Sequence, residues 1–166
     1  MRRPGLPRWL VAVAGSLAVA AIVGLSAIGG WLYWDRVQTR GAAAARTVLS
    51  QQAASDIPKV FAYDYQTVER SLAAAYPLLT PGYRQEFQRS ANAQIIPEAK
   101  KREVVVQANV VGVGVMTAKR DSASVMVYLN RTVTDKTRQP LYDGSRLRVD
   151  YMRVHGKWLI NYITPI

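Results

Sequence analysis

The chain of 166 residues has no cysteine and a single histidine. The first absence excludes a disulfide framework, thiol nucleophiles and thiolate metal sites. The second leaves little for imidazole chemistry, because His155 stands beside Gly156, where a tight hairpin is expected. Acidic residues are scarce too: 11 Asp and Glu face 22 Lys and Arg, for a formal charge of +11. Such a balance favours acidic partners, whether anionic headgroups, a charged envelope polymer or nucleic acid. The bases are nevertheless dispersed, and most read as solvated surface. Spacings of the HExxH, CxxC, GxSxG and phosphate-loop kinds are missing, so metalloprotease, redox, esterase and nucleotide-hydrolase readings lack support. Neither a cofactor nor a metal site is expected.

Charge is also absent from one long stretch, Trp9 to Trp34, closed by Arg8 on one side and Asp35 on the other. A helix rising about 1.5 Å per residue needs roughly 20 apolar residues to cross a hydrocarbon core of ~30 Å. Secretory signal peptides have a shorter apolar region that ends in small residues. Cutting after Ala27-Ile28-Gly29 would leave Trp31, Tyr33 and Trp34 near a new N-terminus, whereas with Trp9 they form interfacial belts. The sequence therefore predicts a tail at 1–8, a membrane span at 9–34, a juxtamembrane helix at 35–58 and an extracytoplasmic domain at 59–166. Arg2, Arg3 and Arg8 crowd the short tail and favour keeping it in the cytoplasm, although Arg36, Arg40 and Arg46 dilute the asymmetry.

Beyond the span the hydrophobic period is first helical, then strand-like. Val37 to Ser55 reads as a helix with Ala44, Ala45, Val48, Leu49 and Gln52 in helical spacing, ended by Pro58. Asp64 is expected to cap a helix reaching Tyr76, and Thr80-Pro81 to start another that places Tyr83 and Phe87 on one face and fades near Ile96. Pro97 then opens a basic turn. Val104 to Met116 is a β-branched run interrupted by Gly112 and Gly114, which points to a bent strand. In Ser124 to Thr134, Val125, Val127 and Leu129 face one way. A polar loop is expected over 135–145, followed by Leu147, Val149 and Tyr151 alternating with Arg146, Arg148 and Asp150. The closing strand carries Trp158, Ile160 and Tyr162 on one face. Helices preceding about four antiparallel strands predict an α+β fold, a helix-backed curved sheet forming a cone with an apolar throat. Ketosteroid isomerases and nuclear transport factors share that shape.

A lyase or isomerase of that shape would need an acid or base in the throat with a Tyr partner. Asp56, Asp64 and Asp150 are the candidate carboxylates, and Tyr63, Tyr65 and Tyr76 the candidate donors. Asp64 and Asp150 have plainer explanations, as a helix cap and as an ion-pair partner of Arg148. A basic group of Lys136, Arg138, Arg146 and Arg148 could meet an acidic surface, and Arg138, Arg146 and Arg148 are the candidate partner-binding residues. Aromatic residues for base stacking do not interleave with them, which argues against nucleic acid. Asn130-Arg131-Thr132 matches a glycosylation acceptor but lies in mid-strand.

Several segments, taken in order, resemble one known family. Val60-Phe61-Ala62-Tyr63-Asp64-Tyr65 and Thr80-Pro81-Gly82-Tyr83-Arg84-Gln85-Glu86-Phe87 are similar to the central signature of Mce-associated membrane proteins of actinobacteria. Pro97-Glu98-Ala99-Lys100-Lys101, the Val104–Val115 strand, Arg146-Leu147-Arg148-Val149 and Val154-His155-Gly156-Lys157-Trp158-Leu159-Ile160 continue it. The likeness runs from about Val37 onward. It implies a cone-shaped α+β domain outside the cytoplasmic membrane and an accessory role in Mce complexes, which import lipids. Mce subunits would be the partners, and lipid a further one; no catalytic residues carry over. An assembly factor of a type IV secretion or conjugation apparatus has the same expected architecture and is the alternative. A membrane-tethered isomerase or dehydratase is the rival from another class.

Overall fold

The computed structural model describes residues 42–166. The expected tail and membrane span lie outside the described residues. Among the described residues no helix is long and apolar enough to cross a membrane.

The first helix, α1, covers residues 42–61. It buries Ala45, Leu49, Ala53, Ile57 and Val60, a stripe at spacings of three and four. Ala44 and Val48, expected on that stripe, face solvent instead. Pro58 does not end the helix, and the Ala62 N–H still donates to the Pro58 carbonyl at 2.7 Å. A proline inside a helix costs about 3 kcal/mol, while burying Ile57 and Val60 returns roughly 1.5–3 kcal/mol each. Packing wins over propensity there.

Tyr63–Asp64 forms a two-residue strand, β1, paired with Val106 and Val105. Asp64 therefore caps no helix. Its carboxylate accepts the Gln66 N–H at 2.8 Å, and α2, Val68–Ala75, starts after Thr67. A 3-10 turn at Tyr76–Leu78 leads to α3, Pro81–Ser90. Thr80 stands at the N-cap position with extended backbone, but its hydroxyl donates to Asn161 Oδ1 at 3.2 Å and leaves the helix N–H groups alone. Beyond α3 the helix widens into a π turn, Ala91–Ile95, and resumes as α4, Ile96–Arg102. Pro97, expected to open a basic turn, sits in the first turn of α4, and the π turn before it accommodates the missing N–H. Lys100, Lys101 and Arg102 occupy its last turn, favourably placed for the helix dipole. Glu103 closes it in left-handed conformation.

β2 (Val105–Ala118), β3 (Ser122–Thr134), β4 (Leu141–Val154) and β5 (Lys157–Pro165) follow as an antiparallel meander in the order β1-β2-β3-β4-β5. The register shifts between Val110 and Gly112 and again between Val115 and Thr117, so β2 is irregular beside Gly112, as expected, and a second time beyond Gly114, which itself pairs regularly. β4 starts earlier than expected. Leu141 to Ser145 pairs with Val133 to Leu129, because Asp143 is drawn into a cross-strand ion pair and Asp143-Gly144 makes no turn. His155 and Gly156 both have positive φ and form the hairpin tip.

The sheet's inner face supplies Val125, Val127, Leu129, Leu147, Val149, Tyr151 and Ile160, which pack against α1, with Tyr83, Phe87 and Trp158 at the margin. Tyr162 does not share that face. A bulge at Asn161 shifts the β5 register so that Tyr162 pairs with Asp150 and Ile163 takes the inward position. The architecture is α+β, helices packed on a curled antiparallel sheet.

Candidate functional site

The throat is open. A cavity of about 640 Å³ lies between the helices and the end of the sheet where β3 stops and β4 begins. Val60 and Phe61 of α1, Leu72 of α2, Phe87 of α3 and Ala99 of α4 form its helical wall, and Val106 and Val133 form its sheet wall. Leu141 and Tyr142 line it as well, yet they are 66% and 76% exposed, which makes them its rim. Polar groups enter from Tyr63, Glu98, Arg102, Arg131 and Asp143.

Arg131 organises the polar side. Its Nη2 donates to Asp143 Oδ2 and, at 3.3 Å, to Ser145 Oγ. The guanidinium carbon lies 5.9 Å from the centre of the Phe61 ring, within cation–π range. Among the described residues Nε is buried without a partner. The hydrogen bonds from Arg131 and then Ser145 hold the Asp143 carboxyl below the usual carboxylate range. Burial pushes the Tyr63 hydroxyl up, opposed by the Arg131 charge. Both groups therefore stay in their ordinary forms near neutral pH, Asp143 ionised and Tyr63 protonated. A clamped carboxylate of this kind makes a weak general base.

A second polar cluster borders the cavity. Arg102 pairs with Asp135 at 3.1 Å, and Asp135 Oδ1 accepts the Thr137 N–H at 2.9 Å and the Thr137 hydroxyl at 2.6 Å. Led by those bonds from Thr137, with Arg102 adding to them, the Asp135 carboxyl falls to about 2. The Lys136 N–H donates to the Arg102 carbonyl at 2.9 Å, tying the 135–138 loop to the end of α4. Arg138 belongs to that loop.

The other two candidate arginines are elsewhere. Arg146 and Arg148 stand opposite Tyr128 and Met126 of β3, on the face away from Leu147 and Val149. Arg148 is bound to Asp150 at 3.1 Å. Asp150 also accepts from Ser124. The Arg146 side chain makes no ion pair among the described residues. Of the candidate carboxylates, Asp56 is buried in α1 and accepts from Ser55 and Lys59. Its charge acts on the buried Tyr151 hydroxyl, which has no hydrogen-bond partner among the described residues and is pushed well above the usual phenol range by burial and then by Asp56. Asp56, Asp64 and Asp150 do not line the cavity, and of the candidate tyrosines only Tyr63 does. Among the described residues no three His, Asp or Glu side chains converge to hold a metal ion.

The residues that organise the cavity, Arg131 and Asp143, were not singled out from sequence as a pair. A signal was there. Arg131 falls in the phase of Val125, Val127 and Leu129, and Asp143 in the phase of Leu147, Val149 and Tyr151, so both opposite charges point inward.

No model of a known protein family matches the chain. It is 26% identical over 158 residues to outer membrane protein Rv1973 of Mycobacterium tuberculosis strain H37Rv, covering 95% of this chain and 99% of that protein. It is 29% identical over 142 residues to the uncharacterized protein Rv1362c of the same strain, covering 82% of this chain and 64% of that one. Among solved structures, an IcmL-like type IV secretion system protein from Legionella pneumophila aligns with a TM-score of 0.62 at 12% identity, over 73% of this chain and 93% of its own. The periplasmic domain of DotI gives 0.62 at 14% identity, over 72% and 94%. Agrobacterium tumefaciens VirB8 gives 0.55 at 14%, over 67% and 84%. At these identities the likeness establishes the fold: the described domain has the architecture of the VirB8 and IcmL-like proteins.

Proposed function

We propose that this chain is a non-catalytic, membrane-anchored accessory subunit of a cell-envelope complex, acting by binding partner proteins. The observation that carries the reading is the nearly end-to-end match to a mycobacterial protein named as an outer membrane protein. That the fold recurs in the periplasmic domain of DotI supports an extracytoplasmic position for the domain. Within this reading 9–34 is the single span, and tethering raises the effective concentration of the domain beside its partners. The complex is an Mce-type lipid importer, as the ordered motifs from Val60 to Ile160 imply. Arg138 and Arg146 would lead the partner contact, since neither makes an ion pair among the described residues; Arg148, tied to Asp150, completes the set to be tested.

A second reading has its own support. The matched folds belong to type IV secretion proteins, which favours an assembly role in a secretion or conjugation apparatus. Purification of the tagged full chain from native membranes separates the two. Co-purified Mce subunits and permease support the first, and secretion components support the second. Recovery of neither would remove the accessory-subunit reading. Charge reversal at Arg138, Arg146 and Arg148 is expected to weaken the recovered complex while leaving the fold intact.

A further inference from the structure

We propose that the cavity is a binding site for a neutral single-chain amphiphile with a hydroxyl head, of the long-chain alcohol or monoacylglycerol class. The site is independent of which assembly the chain joins. Its volume of about 640 Å³ lies within the range of roughly 300–1,000 Å³ typical of small-ligand sites. Apolar side chains from α1 to α4 and from β2 and β3 supply most of the wall, which suits a hydrocarbon chain. The polar side selects the head. Glu98 and Asp143 balance Arg102 and Arg131 in number, so an added carboxylate or phosphate would lose its water without gaining a surplus cation. Arg131 engages Asp143 and Ser145 through Nη2 alone, so among the described residues its Nη1 makes no hydrogen bond. A guanidinium with unused donors beside an ionised carboxylate matches a group that both accepts and donates, which is a hydroxyl. Tyr63, kept protonated by burial, offers a third partner of the same kind. Leu141 and Tyr142 on the exposed rim give such a molecule an apolar approach from a lipid surface.

The test uses the full chain in phosphatidylcholine nanodiscs with a hexadecanol probe carrying a mid-chain diazirine. Photolabelling is mapped by mass spectrometry, with native thermal unfolding required of each variant. Expected labels fall on peptides containing Phe87, Ile95 or Val133. Unlabelled hexadecanol or monopalmitoylglycerol should compete about ten-fold better than hexadecanoate, the factor that one hydrogen bond to a charged group supplies. Val133→Trp, which fills the space from a partly exposed position, should abolish the labelling, and Arg131→Gln should reduce it by about ten-fold. Labels confined to residues outside the cavity, or unchanged in both variants, would overturn the site. Better competition by hexadecanoate would overturn the neutral head.

Discussion

Arg131 and Asp143 stand directly opposite each other in the β3–β4 register, and their ion pair stands on the polar side of a mostly apolar cavity. Their partial exposure limits what the pair contributes to stability. Exposed pairs are worth about 0.2–1 kcal/mol. Asp143→Ala is expected to lower the unfolding free energy by about that amount in urea titrations. Arg131→Ala should cost more, because it also removes the stacking of the guanidinium on Phe61. A double-mutant cycle measures the difference, and equal single-mutant losses would remove Phe61 from the account.

Asp135 sets an acid limit on the loop beside the cavity. Its carboxyl is at about 2 in the folded chain against an ordinary 3.8. Folding therefore favours the ionised form. The contribution is fully present above about pH 4 and disappears as pH falls through about 2. Asp135→Asn is expected to lower the melting temperature at neutral pH and to converge with the parent chain near pH 2. A constant offset across that window would mean the loop is held by something other than the carboxylate.

Much of this arrangement was legible in the residues. The alternation of Val125, Val127 and Leu129, and of Leu147, Val149 and Tyr151, places the inner sheet face correctly because side chains on a strand repeat every two residues. The His155-Gly156 tip and the β2 register shift beside Gly112 were also readable, since turn and bulge geometry is local, whereas the second shift falls past Gly114, between Val115 and Thr117. Prolines were misleading. Pro58 and Pro97 both lie inside helices, one held there by the burial of Ile57 and Val60 and the other accommodated by a preceding π turn. The bulge that turns Tyr162 away from the core depends on Asn161, whose side chain is engaged by Thr80 from a distant element. No local pattern carries that information. The same holds for the cavity, which needs α1 to α4 and the strands β1 to β4 to come together before Arg131 acquires its surroundings.

Tyr151 offers a substitution with an unusual sign. Its hydroxyl is buried, has no hydrogen-bond partner among the described residues and feels the Asp56 charge. Leaving a buried polar group unsatisfied costs about 1–3 kcal/mol. Tyr151→Phe is expected to leave stability unchanged or raise it by up to ~1 kcal/mol, where loss of a bonded hydroxyl would lower it. Because the folded chain holds the Tyr151 proton more tightly than the unfolded chain, stability falls as pH rises above 10.0, the ordinary phenol value. The variant should show a shallower alkaline decline. Melting curves between neutral pH and strong base check both claims.

The two glycines of β2 should respond differently to alanine. A Cβ at Gly114 meets nothing within 4 Å, whereas one at Gly112 meets Tyr128 Cδ2 at 3.3 Å. Neither has the positive φ that favours glycine. Gly114→Ala is expected to stabilise by about 0.4–1 kcal/mol through the unfolded chain's lost freedom. Gly112→Ala should gain less, because the half-exposed Tyr128 ring must move a few tenths of an ångström to admit the methyl group. Equal gains would show that the ring moves without cost.

Pro58 separates local preference from tertiary packing most directly. It removes one backbone donor from α1, and the carbonyl left without it belongs to Ala54 on the solvent side, where water can serve. Pro58→Ala restores the donor and relieves the ring's clash with that carbonyl. Against this, the unfolded chain regains freedom worth about 0.4–1 kcal/mol. The helix term of about 3 kcal/mol is larger but is reduced in a last turn. A net gain of about 1–2 kcal/mol is expected in chemical unfolding, with the Ile57 and Val60 packing unchanged. If the variant is less stable than the parent, the proline ring itself is contributing to the junction between α1 and β1.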